Sequence, residues 1–127
     1  MKQGENNTTE RNSILAIDDN RMNLLLIKKI LTVYYDVTTV TSGKEAFSHL
    51  ENNNADMILL DLRMPEMDGF QFLEIIKADE RLKNIPIICL TAVDDHDSEL
   101  RCFQLGALDF TAKPFVAEIM CSRILRC

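Results

Sequence analysis

A chain of 127 residues suits one domain and is long enough to bury an apolar core, and a second full domain is not expected. Its 14 Lys+Arg against 20 Asp+Glu give a formal net charge of −6, so nucleic-acid phosphates and anionic membranes would repel its surface. The cysteines Cys89, Cys102, Cys121 and Cys127 form no close C-x-x-C pair and stand far from His49 and His96, which excludes zinc-ligand spacing and suggests reduced thiols of a cytoplasmic protein.

Residues 1–12 are rich in Asn, Thr and Glu and carry almost nothing apolar, so they are expected to form a flexible leader rather than a signal segment. No later apolar stretch approaches the ~20 residues that span a bilayer, and a soluble domain over 13–127 is expected. The run Ile14-Leu15-Ala16-Ile17 reads as a strand that stops at Asp18-Asp19-Asn20. Met22, Leu25, Leu26 and Ile30 then recur at helical spacing. Asp36 to Thr41 is β-branched but less oily, which suits an edge strand. Ser42-Gly43-Lys44-Glu45 has the spacing of a capping box and predicts a helix that ends in Asn52-Asn53-Asn54.

Met57-Ile58-Leu59-Leu60 is the third strand, and Asp61 ends it. Pro65, Asp68 and Gly69 punctuate a loop before a helix carrying Phe70, Leu73 and Ile76. Ile85 to Leu90 is a fourth strand followed directly by Thr91. Asp94 to Glu99 can cap a helix that carries Leu100, Phe103 and Leu105 and stops at Gly106. A brief fifth strand around Leu108 to Phe110 leads to Lys113-Pro114 and a last helix with Phe115, Ile119, Met120 and Ile124.

Strands alternating with helices imply right-handed crossovers and a parallel sheet covered on both faces. Oily first, third and fourth strands with a polar second fit the flavodoxin-like order 2-1-3-4-5, a (βα)5 three-layer α/β sandwich. Asp18, Asp61, Thr91 and Lys113 each follow a strand closely, and the carboxyl ends of parallel strands share one rim. The switch point of that order lies between strands one and three, so Asp18 and Asp19 should face Asp61. Three carboxylates that close call for a divalent cation, and Mg²⁺ takes hard oxygen ligands. A carboxylate can also act as a nucleophile toward phosphorus, and Asp61 is best placed to do so. The ammonium of Lys113 would then offset charge on the moving phosphoryl group, and Thr91 would donate a hydrogen bond to it.

Taken singly, each of these residues has a structural explanation: Asp18, Asp19 and Asn20 as a helix cap, Asp68-Gly69 as a turn, Lys113-Pro114 as a helix entry, Phe110 as a core aromatic. Their shared rim is what a functional account expects and a structural one treats as coincidence.

The segments Ile14-Leu15-Ala16-Ile17-Asp18-Asp19-Asn20, Leu59-Leu60-Asp61-Leu62-Arg63-Met64-Pro65-Glu66-Met67-Asp68-Gly69, Leu90-Thr91-Ala92 and Phe110-Thr111-Ala112-Lys113-Pro114-Phe115 closely resemble the receiver domain of bacterial two-component response regulators. The resemblance implies that Asp61 accepts a phosphoryl group from a phosphohistidine on a sensor histidine kinase or histidine phosphotransfer protein. It also implies that Asp18 or Asp19, Asp61 and the backbone carbonyl of Arg63 hold Mg²⁺, that Thr91 and Lys113 engage the phosphate, and that Phe110 swings inward when Thr91 moves. The signal would leave for a downstream partner or domain. Asp18-Asp19-Asn20-Arg21-Met22-Asn23-Leu24 further resembles receivers attached to hybrid kinases and cyclic-dinucleotide enzymes. An alternative class is a metal-dependent phosphatase acting on small molecules through an aspartyl phosphate, which usually needs a second acid and an enclosing cap. No insertion of cap size interrupts the pattern.

Overall fold

A computed structural model of the chain describes residues 12–91, 96–112 and 124. Five strands, β1 (Ser13–Ile17), β2 (Asp36–Val40), β3 (Met57–Asp61), β4 (Ile87–Thr91) and β5 (Asp109–Ala112), form one parallel sheet in the order β2-β1-β3-β4-β5. They alternate with α1 (Arg21–Leu31), α2 (Gly43–Asn52), α3 (Gly69–Lys77) and α4 (His96–Gln104). The expected architecture and strand order are therefore present. The expected leader, Lys113 and most of the final helix lie outside the described residues; of that helix only the buried, helical Ile124 is described.

Successive strand residues point to opposite faces, and the core divides accordingly. Ile14, Ala16, Leu59, Ile88 and Leu90 pack with Leu24, Ile27 and Leu31 of α1 and with Ile124. On the other face Leu15, Ile17, Ile58, Leu60, Ile87 and Cys89 pack with Ala46 and Leu50 of α2, with Phe72, Leu73 and Ile76 of α3, and with Cys102 of α4. Strands β3 and β4 are buried along their whole length, whereas β2 alternates exposed and half-buried residues at the sheet edge. These three layers put every helix start and every strand end on predictable sides.

Local chemistry sets the helix starts. The Asn20 side chain accepts hydrogen bonds from the backbone N–H of Met22 (2.9 Å) and Asn23 (3.2 Å). Ser42 Oγ accepts from the Glu45 N–H at 3.1 Å, as its capping-box spacing predicts. The returning Glu45 carboxylate reaches one residue further than the motif expects and accepts from the Thr41 N–H (2.7 Å) and hydroxyl (2.8 Å). Those two bonds, the backbone one foremost, hold the Glu45 carboxyl below its ordinary pKa. Asp68 and Gln71 complete a reciprocal capping box at α3. Gly106, with φ +101°, closes α4 as its stop signal.

Two helices present a different face from the one their spacing suggested. In α1 the buried stripe is Leu24, Ile27 and Leu31, while Met22, Leu25 and Leu26 are exposed. Leu24 through Ile27 are all apolar, so the stripe at i, i+3, i+7 was equally available, and the sheet selects it. In α4 only Cys102 is buried, and Leu100 and Phe103 face outward. Cys102 hydrogen-bonds the Cys89 thiol, and that bond, followed by burial, raises the Cys89 pKa far above the ordinary thiol range, so this pair packs as neutral thiols.

Candidate functional site

The register of the sheet assembles the site. Ile17 pairs with Leu60, so Asp18 stands level with Asp61, each one step further along its strand line. Asp61 pairs with Leu90, placing Thr91 one residue beyond it on the adjacent strand, and Thr91 pairs with Ala112. Asp18 (0% exposed) and Asp61 (2%) are buried, whereas Asp19 is exposed at the rim. One carboxylate oxygen from each of Asp18, Asp19 and Asp61 lies within 4.8 Å of the others. The strand ends thus bring together the three acids expected from the sequence.

Charges this close repel one another. At an effective dielectric of about 20, two carboxylates 4.8 Å apart oppose each other by roughly 3 kcal/mol. Backbone and side-chain donors offset part of this. Asp18 Oδ1 accepts from the Asn20 N–H at 2.9 Å, Asp18 Oδ2 accepts from the Asn23 amide at 3.2 Å, and Asp61 Oδ1 accepts from the Arg63 N–H at 3.4 Å. An all-oxygen cluster of hard carboxylates, open to solvent through Asp19, has the donor chemistry that Mg²⁺ requires. The contribution of Asn23 was not anticipated from the sequence; its signal was a polar residue at the third helical position with no capping partner.

Thr91 is buried (2% exposed), and its hydroxyl has no hydrogen-bond partner among the described residues. A buried hydroxyl without a partner costs stability and suggests a ligand that arrives later. Phe110, half-buried on β5, packs edge-to-face on Phe103 of α4, with ring centroids 5.5 Å apart and planes at 73°. Arg101 of α4 lies over the Phe70 ring of α3 at 4.2 Å. α4 buries one described residue, fewer than α1, α2 or α3. Between Asp61 and α3, Glu66 adopts φ +68°, the left-handed region that a residue with a side chain avoids. The side chain of Arg63 is exposed, and Lys113 falls outside the described residues.

The chain is thus an α/β domain of the doubly wound class with a carboxylate cluster at its switch point, where such sheets bind their ligands. The family model of the response regulator receiver domain matches residues 14–125. The chain is 37% identical to Two-component response regulator ORR5 of Oryza sativa subsp. japonica over 118 residues, which cover 89% of this chain and 88% of that one. It is 35% identical over 112 residues to a probable cyclic di-GMP phosphodiesterase of Vibrio cholerae, covering 88% of this chain and 25% of that protein. Among solved structures, the receiver domain of a sensor histidine kinase from Pseudomonas aeruginosa, with magnesium coordinated in its active-site cleft, superposes with a TM-score of 0.80 at 36% identity. That match covers 91% of this chain and 95% of the other.

The chain belongs to the response-regulator receiver family, the receiver domains of two-component signalling. It spans about a quarter of the Vibrio cholerae relative, so a receiver joined to other domains is one arrangement found among its relatives. Among the described residues no helix is long and apolar enough to cross a membrane.

Proposed function

We propose that the Asp61 carboxylate accepts a phosphoryl group from a phosphohistidine of a sensor histidine kinase or histidine phosphotransfer protein. Mg²⁺ is held by Asp18, Asp19, Asp61 and the backbone carbonyl of Arg63, over a receiver unit of residues 13–127. When bound, the ion neutralises charge on the phosphoryl oxygens and on the acids around them. Asp61 supplies the nucleophilic oxygen, and Lys113 adds a second cation by its place in the motif. The observation that carries this reading is the buried hydroxyl of Thr91, without a hydrogen-bond partner among the described residues and one residue past the level of Asp61 on the next strand. A phosphate oxygen arriving there gives that hydroxyl an acceptor, and a contact that exists only in the phosphorylated state shifts the conformational equilibrium. Phe110 then follows Thr91, leaves Phe103, and releases α4 to a downstream partner or domain. The chain acts as a signalling phosphoacceptor, its own phosphorylation being the chemistry it assists. No observation favours the small-molecule phosphatase alternative.

Metal addition tests the site directly. An ion that binds the folded acid cluster and not the unfolded chain stabilises by mass action, about 2.7 kcal/mol at a hundred times its dissociation constant. Mg²⁺ should therefore raise the melting temperature by several degrees. A melting curve unmoved by millimolar MgCl₂ would remove the metal from the proposal.

Thr91→Val separates resting stability from switching. Valine keeps the shape and β-propensity and deletes a hydroxyl that has no partner among the described residues, so the unphosphorylated, metal-free protein should gain roughly 1 kcal/mol in urea unfolding. The same variant should lose the change in α4 hydrogen exchange that phosphorylation causes. A less stable Thr91→Val protein would mean that the hydroxyl already has a partner.

A further inference from the structure

The first turns of the three helices that follow β1, β2 and β3 differ in one respect. At the third helical position α2 carries Glu45 and α3 carries Gln71, and both side chains turn back to accept a backbone N–H at the helix entry, from Thr41 and Asp68. In α1 the equivalent residue is Asn23, and its amide instead donates to Asp18 Oδ2 at 3.2 Å, five residues back. A carboxylate only accepts, so the amide nitrogen is the end that faces it. Asn20 caps the helix, which leaves the Asn23 side chain to serve the pocket.

We propose that Asn23 is a positioning residue of the metal pocket: its amide holds the Asp18 carboxylate in the orientation that receives Mg²⁺ and so sets the affinity for the ion. The inference rests on the metal reading above. Asp18 is fully buried beside two other acids, and their repulsion favours turning its carboxylate away from them. Asn20 fixes Oδ1 through its backbone N–H, which a change at Asn23 leaves in place, and Asn23 fixes Oδ2, so the two donors set the plane of the carboxylate.

Two effects of the amide oppose each other. It draws a little charge from Oδ2, which weakens that oxygen as a ligand, and it orders the group in advance, which strengthens binding. A neutral amide removes only a fraction of a unit charge, and each carboxylate oxygen offers a second lone-pair direction for the ion. Loss of hydrogen-bond partners behind metal ligands typically weakens affinity by about 10- to 100-fold, so ordering dominates.

The test is calorimetric titration of the full chain with MgCl₂ alone, comparing the unchanged protein with Asn23→Leu, which keeps the branching of the side chain without a donor, and with the smaller Asn23→Ala. Both variants should bind Mg²⁺ at least about tenfold more weakly. Metal-free melting of each variant checks that it is folded. A lowered metal-free melting temperature with unchanged Mg²⁺ affinity would assign Asn23 a merely structural role and overturn the inference. Absence of binding to the unchanged protein would overturn the metal reading itself, a different outcome from equal binding by all three proteins.

Discussion

Asp61→Asn is expected to gain no phosphoryl group when incubated with acetyl phosphate and Mg²⁺, whereas the unchanged chain gains one by intact-mass measurement. In the reaction an Asp61 carboxylate oxygen attacks phosphorus, the bond from phosphorus to the acetate oxygen breaks, and acetate leaves with the electron pair. An amide oxygen is a poor nucleophile and yields no stable acyl phosphate, so the loss should be complete rather than partial. The fold should not suffer. Asparagine has the size of aspartate and can still accept the Arg63 N–H, and it removes one charge from a cluster whose members lie within 4.8 Å. Metal-free Asp61→Asn should therefore be more stable, by about 1–3 kcal/mol after screening at the exposed Asp19 side. Equal labelling of the variant would move the phosphoacceptor to another residue, and reduced stability would mean that the acids do not strain one another.

Much of this site was legible because a parallel sheet turns sequence position into spatial position. Asp18 and Asp61 each stand at the end of a four-residue apolar run, and Thr91 follows another, so their neighbourhood followed once the strand order was set by which runs were oily. Helix faces were less legible. In α1 the block Leu24-Leu25-Leu26-Ile27 satisfies two stripes at once, and only burial of Ile27 and Leu31 against the sheet decides between them. In α4 the residue that reaches the core is Cys102, smaller than the exposed Leu100 and Phe103 on either side of it. Hydropathy ranks those larger side chains higher, but the close approach of α4 to Cys89 admits a small one. Asn23 escaped notice for another reason. Its role depends on where the Asp18 carboxylate points, and no periodicity encodes the direction of a side chain five residues away.

The same dependence on close approach makes Gly69→Ala the substitution with the largest expected effect on stability. A Cβ at Gly69 would sit 2.7 Å from the Asp61 carbonyl oxygen, 2.7 Å from Leu62 Cα and 2.8 Å from Leu62 Cδ2. Two of those three are backbone atoms, which cannot step aside as a flexible side chain can. Either the start of α3 lifts, breaking the hydrogen bond from the Gly69 N–H to the Leu62 carbonyl (3.1 Å), or residues 61 and 62 shift and carry the acid with them. Overpacking of this kind typically costs about 1–3 kcal/mol, and the better helix propensity of alanine returns at most about 1 kcal/mol. The expected result is a melting temperature lower by several degrees, together with phosphorylation by acetyl phosphate slowed at least about tenfold, because a misplacement near 1 Å can cost about a hundredfold. Gly43→Ala supplies the control. Its Cβ would meet side-chain atoms alone, Met67 Sδ at 2.7 Å in a flexible chain and the Phe72 ring at 3.3 Å, so it should be milder on both counts. If Gly69→Ala instead matched Gly43→Ala in melting and in rate, the contact between the start of α3 and the end of β3 would not be what holds Asp61 in place.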